Sequence, residues 1–508
     1  MAKNISSFIK NNYKYLLFCL ILFIINCFFT LRLRSTIGGW KVLFLSIFLI
    51  LQLILFILGF YLKQKKGWQH HRLFLVFSIV IGLIYVFAMP PGVAPDEPNH
   101  FRRAYEVSEG KFISARESAD GEGGNYLPNS INEIFRVEPG AMRYSDMPNI
   151  VAESSQPASE VFQNFGNTAL YSPIVYVPQA AGILVGRVLH LPMIIIFYLA
   201  RISNLAFWIM IGYFAIKKLP FGKNVLLLVL FLPISMQAAS SCQADAITNI
   251  SAIALFAVVL DKIKSRKILS TKEYITTIAL AFVVSMSKIV YLPLIFLLLL
   301  LPKECFKGKR ERALKIGLAL LAIVAVNLMW LAISAGFLVQ FREGVNSGEQ
   351  VKFILSNPIR YLMIVGSSIV DQGIFYFFSF FGSNLAHFNI GLAEPYILFL
   401  AFFIFYTYMK ESRKAIDLSI KQKTVIGIIS IICIGLIFTS IYVQWTAVGN
   451  PIIEGIQGRY FIPLALPILF LLNPLKDSTK KDFSPYVFAV ITAINIYATI
   501  TIIAHYMV

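Results

Sequence analysis

The sequence predicts an all-α polytopic membrane protein of about thirteen transmembrane helices, N-terminus inside and C-terminus outside. Three observations carry this. Of 508 residues, 57% are hydrophobic and only 14% are charged, against about 25% charged in an ordinary soluble domain. The apolar residues recur in runs of roughly 15 to 24, the length that crosses a hydrocarbon core. The loops between runs are short and basic. In a soluble chain a net charge of +19 would suggest nucleic acid; here its placement marks topology, and no nucleic-acid partner is expected.

In chain order the expected spans are 15–31, 42–62, 73–89, 192–216, 224–241, 246–261, 273–286, 289–302, 315–336, 394–409, 424–443, 459–474 and 484–506. The first run has no small-residue cleavage site and further spans follow it, so it reads as a retained helix. With the N-terminus inside, the cytoplasmic segments are 1–14, 63–72, 217–223, 262–272, 303–315, 410–423 and 475–482. They hold 29 of the 45 basic residues, as the positive-inside rule requires. The loop from Pro90 to Leu170 carries 12 of the 26 acidic residues against six basic ones and belongs outside.

Two apolar stretches do not fit as full spans. Residues 171–190 are broken by Pro173, Pro178, Gly182 and Gly186, and 358–381 are interrupted by Asp371, Gln372 and Gly373. Both read as helices at the outer interface or re-entering the bilayer. The pair 273–286 and 289–302 forms a hairpin of short helices with Ser287 and Lys288 at its outer tip. Five scattered cysteines (Cys19, Cys27, Cys242, Cys305, Cys433) show no CxxC and no metal-ligand spacing. No internal repeat, low-complexity tract or soluble domain is visible. The chain divides into two extra N-terminal helices (1–72), a module at 73–336 that includes the external loop 90–191, and a C-terminal module at 337–508 with external loops 337–393 and 444–458.

Four polar islands fall on the outer side under a topology fixed by other residues. In the first, three prolines and a glycine in Met89–Pro95 stop the third span, and Asp96-Glu97-Pro98-Asn99-His100 follows. Asp96 is a good N-cap and Pro98 suits a first turn, so a helix starts here with two carboxylates at its positive end. This is either a capped interfacial helix or a base beside the membrane, able to take a proton from a hydroxyl. The second island holds Asp245, either a helix cap or a second acid converging on the first. The third is Ser287-Lys288 with Tyr291; a lysine facing outward, against the bias of the others, suits an anion. The fourth, Glu454-Gly455-Ile456-Gln457-Gly458-Arg459-Tyr460, combines backbone openness with a guanidinium able to grip phosphate; as interface anchors, Arg459 and Tyr460 need no ligand. Asp371 and Arg342 share this side but stand alone, and His70, His71, His190, His387 and His505 form no ligand pair.

On these islands the sequence resembles a family of bacterial polytopic proteins catalogued as domain of unknown function 2142. The resemblance rests on Pro95-Asp96-Glu97-Pro98-Asn99-His100-Phe101, Gln243 to Asn249, Ser287-Lys288 with Tyr291 and Pro293, and Glu454 with Gln457 to Pro463, and it covers about residue 73 to the end. That family in turn looks like the GT-C superfamily of membrane glycosyltransferases, which place a short acidic motif in the first large external loop and take sugars from polyprenyl-phosphate carriers. The absence of a C-terminal soluble domain and of a Trp-Trp-Asp type signature argues against an oligosaccharyltransferase acting on protein sequons.

The resemblance implies a GT-C type transferase, inverting at the anomeric carbon, that moves a sugar from a polyprenyl-phosphate (undecaprenyl-phosphate) donor to a cell-surface glycan or teichoic-type acceptor. In that reading Asp96 is the general base, with Glu97 and His100 orienting it or exchanging roles. Asp245, Lys288, Tyr291, Glu454, Gln457, Arg459 and Tyr460 bind substrate. No cofactor is required; a divalent cation such as Mg²⁺ or Mn²⁺ would be held by Asp96 and Glu97, but no third acid lies nearby in sequence. The alternative is a transporter or flippase of lipid-linked glycans, kept open by Arg201 and Asn204 inside the fourth span. A Lys-, Ile-, Phe- and Asn-rich composition points to a low-GC bacterium and its plasma membrane.

Overall fold

The long helices at expected spans are α1 (Ala2–Arg32), α2 (Gly39–Phe60), α3 (His70–Ala88), α6 (Met193–Lys218), α9 (Asp245–Ser265), α11 (Lys309–Ser334), α15 (Ile420–Trp445) and α16 (Ser484–Tyr506). Between them lie α4 (Glu97–Ser108), α5 (Val177–Val188), α7 (Lys223–Leu230), α8 (Pro233–Ala239), α10 (Thr271–Ser287), α12 (Ser347–Ser356), α13 (Pro358–Phe381) and α14 (Glu394–Lys410). The computed structural model describes every residue except 1, 119–120, 139, 338–341, 412–417 and 473–481, and over 2–9 the backbone alone. Most of the expected inner loop 475–482, part of 410–423, part of 337–393 and the end of the expected span 459–474 therefore lie outside the described residues. The chain is an all-α polytopic membrane protein: among the described residues nine helices are long and apolar enough to cross a bilayer.

Eight of the nine match expected spans; the ninth is α13. It runs unbroken through Asp371, Gln372 and Gly373, because Asp371 is exposed and one helical glycine costs only about 1 kcal/mol. It is held near both of its ends. Near its start, Tyr361 Oη bonds Thr439 Oγ1 (2.7 Å) in the last third of α15. Just past its end, Ala386 N donates to Gln237 Oε1 (2.6 Å) near the end of α8. Ile359, Leu362, Val370 and Ile374 face outward from the protein, as suits a helix lying against lipid.

The other five expected spans are shorter or broken. Residues 224–241 form α7 and α8, split because Pro233 has no N–H and collides with a preceding turn. The carbonyls freed at the break are recovered: Ser235 Oγ donates to Val229 O (3.0 Å) and Asn495 Nδ2 to Phe231 O (2.9 Å), as a lipid-embedded backbone requires. The helices α10 and α14 are both 17 residues long. Residues Ile289–Leu300 and Gly458–Leu464 are 3₁₀-helical with Pro293 and Pro463 inside. At about 2.0 Å rise per residue, a 3₁₀ stretch reaches further through a membrane than an α-helix of equal length.

The segment 90–191 is a folded module and not a plain loop. Strands β1 (Ala115–Arg116), β2 (Gly123–Pro128) and β3 (Glu160–Asn164) form an antiparallel sheet in the order β1-β2-β3, with Asn125 opposite Gln163. Sequence reading missed it because two-to-six-residue strands leave little alternation to detect. Inside the module, buried Glu106 pairs with Arg103 and accepts from Ser114 Oγ (2.9 Å) and Asn125 Nδ2 (2.8 Å). The module is tied down by α5, which lies so close to α6 that a Cβ on Gly182 would sit 2.4 Å from Leu199 O.

The most buried long helices are α9 and α16. The N-terminal pair joins this core: Asn26 on α1 donates to Ala493 O on α16 (2.9 Å) and to Gln52 on α2 (2.8 Å).

Candidate active site

Four chain segments meet at the end of the bundle that carries the 90–191 module, here called the loop face. Residues at the start of α4, the start of α9 and the starts of both 3₁₀ stretches meet there. Helix starts carry partial positive charge, so this end favours anions before any side chain is counted.

Asp96 precedes α4 at the N-cap position, yet its side chain makes no capping bond. Its φ of 59° is left-handed, a region Asp tolerates better than most residues, and it turns the carboxylate away from the helix. One oxygen accepts from Asn167 Nδ2 (3.3 Å) and the other lies 3.7 Å from Arg459 Nη2. The side chain is 45% exposed. An acid that leaves its own helix uncapped is free to meet a substrate.

Glu97, its neighbour, faces the opposite way and is completely buried. It pairs with Arg201 through Nε (2.8 Å) and Nη2 (2.7 Å) and accepts from Gly92 N (3.2 Å) and Cys242 N (3.0 Å). Arg201 gives its remaining donors to the carbonyls of Val86, Met89 and Pro90 (2.9, 2.6 and 3.0 Å). This pair joins the end of α3, α6 and the turn before α9, and every polar atom in it is satisfied. The expected acid-base or metal role of Glu97 does not fit that placement, because Asp96 and Glu97 diverge. Among the described residues no group of three or more His, Cys, Asp or Glu is arranged to hold a metal ion.

Asp245 is the first residue of α9 and is spent on cations instead of capping. Lys288 Nζ lies 2.5 Å from Oδ1 and Arg459 Nε 3.6 Å from Oδ2. Lys288 ends α10 in an extended conformation, and its ammonium sits over the rings of Tyr171 (5.5 Å) and Tyr460 (5.1 Å), both attractive contacts for a cation. Arg459 is only 8% exposed, its contacts with both acids are too long for hydrogen bonds, and its Nε has no hydrogen-bond partner. A buried guanidinium with donors to spare is what an incoming anion would complete.

His100 is buried, with Nδ1 2.8 Å from Tyr176 Oη and its ring nearly parallel to Tyr171. Burial pushes it down to about 4, helped by Lys288 and Arg459 and opposed by Asp96 and Asp245, so the imidazole is neutral near pH 7. Tyr291 serves the frame: its hydroxyl donates to Tyr460 O (2.7 Å), tying the two 3₁₀ stretches together. Gln457 carries a buried Oε1 without a partner. Glu454 stands apart, in a half-exposed pair with Arg342 (3.2 Å).

Beside Lys288 opens a cavity of about 200 Å³, walled by α10, α11, α15 and the first 3₁₀ stretch. Val290, Leu331, Ile437 and Ile441 line it together with Ser285, Asn327, Ser440 and Gln444, and Lys288, Tyr171 and Tyr460 also border it. Sequence reading did not single out Tyr171, Tyr176 or Asn167. Tyr171 stood at the edge of the expected interfacial helix, and nothing near it signalled contact with Lys288. Asn204, once a polar group to explain inside a span, donates to Ala238 O (3.2 Å) and Ser241 O (2.7 Å) and shapes the turn before Asp245.

Fold and site together define a multi-pass membrane protein whose ion cluster lies at one end of the bundle, next to a largely apolar cavity. Residues 79–468 match the family described as predicted membrane protein (DUF2142), and the chain belongs to that family. No curated protein and no solved structure matches the chain. The matched region contains every residue of the cluster and leaves out α1, α2 and α16.

Proposed function

We propose that this chain is a GT-C type membrane glycosyltransferase that moves a sugar from a polyprenyl-phosphate donor to a glycan acceptor on the outer face of a bacterial plasma membrane. One observation carries the reading. A largely apolar cavity is bordered by Lys288 and Tyr460, next to a buried Arg459 with an unpartnered Nε, and the exposed carboxylate of Asp96 lies 3.7 Å from that guanidinium. A lipid tail, a phosphate and a hydroxyl each have a chemically matched place within this small region.

In the reaction an acceptor hydroxyl oxygen attacks the anomeric carbon, the bond from that carbon to the phosphate oxygen breaks, and the phosphate leaves with the electron pair. Asp96 takes the hydroxyl proton. Arg459 and Lys288 stabilise the charge growing on the phosphate, and they act strongly because they are held in place and largely out of water. Orientation supplies much of the rate, since hydroxyl and phosphate must stand on opposite sides of the carbon. Neutral His100 packs against Tyr171 and Tyr176 and shapes the wall beside Asp96. Glu97 takes no part in the chemistry.

The flippase alternative leaned on Arg201 and Asn204 as polar groups along a path. Arg201 has every donor engaged by protein, and Asn204 donates to backbone, so neither supports a path.

The test is Asp96→Asn in full-length protein reconstituted in liposomes with a labelled polyprenyl-phosphate sugar and glycan acceptor. Transfer is expected to fall at least about a hundredfold, the scale of a lost general base, with the melting temperature unchanged. Transfer at the wild-type rate would remove Asp96 from the base role. Movement of labelled lipid across the bilayer with its sugar intact would favour the flippase.

A further inference from the structure

Asp96 sits at the end of a chain of side-chain amides, and the direction of that chain is forced. Arg102 on α4 donates through Nη1 to Asn99 Oδ1 (3.1 Å). Asn99 Nδ2 donates to Asn167 Oδ1 (2.8 Å), and Asn167 Nδ2 donates to Asp96 Oδ1 (3.3 Å). A guanidinium can only donate and a carboxylate can only accept. Each amide between them must therefore present its oxygen toward Arg102 and its nitrogen toward Asp96, and neither can flip without breaking both of its bonds.

The far end of the chain is anchored. Arg102 also donates to Gln163 Oε1 on β3 (2.9 Å) and to Asn132 Oδ1 (3.1 Å), with its guanidinium 5.6 Å from the centre of the Phe135 ring. Thr168, next to Asn167, donates to the backbone carbonyl of Asn99 (3.0 Å). Asn167 belongs to the one-turn helix Gly166–Ala169 that follows β3, and Phe165 just before it donates to Gly123 O on β2 (2.9 Å), so the small sheet holds it against Asp96.

We infer that Asn167 is a positioning residue for Asp96, and that the 90–191 module exists in part to aim this carboxylate. The inference rests on the reading of Asp96 as the base. Arg459 pulls on the other carboxylate oxygen from 3.7 Å. His100, Tyr171 and Tyr176 also face Asp96, with Asp245 and Lys288 further in. Of these neighbours, Arg459 would turn to a bound phosphate, whereas Asn167 keeps its contact with the acid throughout the reaction.

The sharper variant is Asn167→Asp. It is almost the same shape and still accepts from Asn99, so the anchored part of the chain survives. Only the donor to Asp96 is lost, and a second carboxylate takes its place. In reconstituted full-length protein, kcat is expected to fall ten- to a hundredfold with KM for the donor unchanged, the scale of a misaimed reacting group. The acidic limb of the pH profile should move upward, because an added negative neighbour disfavours the charged acid. Asn167→Ala should show the smaller loss, without the added repulsion. The melting temperatures of both variants report any damage to the fold. If Asp96→Asn is inactive while Asn167→Asp keeps wild-type kcat and pH profile, the positioning role is wrong and the base assignment stands. If Asp96→Asn is active, both fall.

Discussion

Replacing Glu97 by Gln separates a structural acid from a chemical one, and the two neighbours at 96 and 97 make the contrast sharp. Glu97 and Arg201 are both fully buried, and the carboxylate receives two bonds from Arg201 and two from backbone N–H groups. Gln keeps the volume but leaves the guanidinium charge without a counter-ion. Removing one partner of such a pair costs about 3–5 kcal/mol. An unfolding entropy of roughly 2 cal/mol/K per residue, taken over the whole chain, converts this to a melting shift of about 3–5 °C, and more if a smaller unit unfolds by itself. The assay is thermal unfolding of purified protein in one detergent, with transfer measured on the folded fraction. Glu97→Gln should melt lower and keep its specific activity within a few-fold, whereas Asp96→Asn should do the reverse. Adding Arg201→Gln to Glu97→Gln should cost less than the sum of the two single changes, because the orphaned charge is gone. A Glu97→Gln protein that melts like wild type but has lost transfer would refute the reasoning, since the acid would then belong to the chemistry.

Other outcomes follow from the same geometry. Lys288→Met removes the ammonium bordering the cavity and should raise KM for the lipid donor about tenfold, the scale of one charge-assisted bond. Gly458→Ala would bring a Cβ to 2.1 Å from Phe380 N and 2.3 Å from Tyr376 O; α13 must move, at about 1–3 kcal/mol, seen as a lower melting temperature and reduced transfer. For His100, burial lowers the protonation midpoint from the ordinary 6.5 to about 4, so between these values the unfolded chain binds the proton first. Its contribution is complete above about pH 6.5 and is lost as pH falls toward 4, by about 3 kcal/mol in all. Melting temperature followed from pH 7 to pH 4 should therefore fall less steeply in His100→Gln than in wild type.

Much of the chain was legible because a bilayer is a demanding solvent. Runs of apolar residues and the positions of Lys and Arg report span and orientation locally, without knowledge of partners. The expectation that Asp96, Asp245, Lys288 and Arg459 share one side followed from that topology, and the structure brings the four together. What was not legible are features set by neighbours far away in sequence. Pro233 signals a break, but only Asn495 and Ser235 show how the freed carbonyls are satisfied. Residues 358–381 look interrupted, yet the helix continues because Asp371 has an exposed side to occupy.

By itself, then, the sequence determined that this is a polytopic helical membrane protein and which polar islands stand at the ends of its spans, since hydropathy and charge act residue by residue. Only the tertiary structure decided which carboxylate faces outward. Asp96 and Glu97 are adjacent and similar, but Arg201, 104 positions from Glu97, claims one, and Asn167 and Arg459 share the other. A carboxylate's role depends on the charges and donors packed around it, and for this pair those partners come from distant parts of the chain.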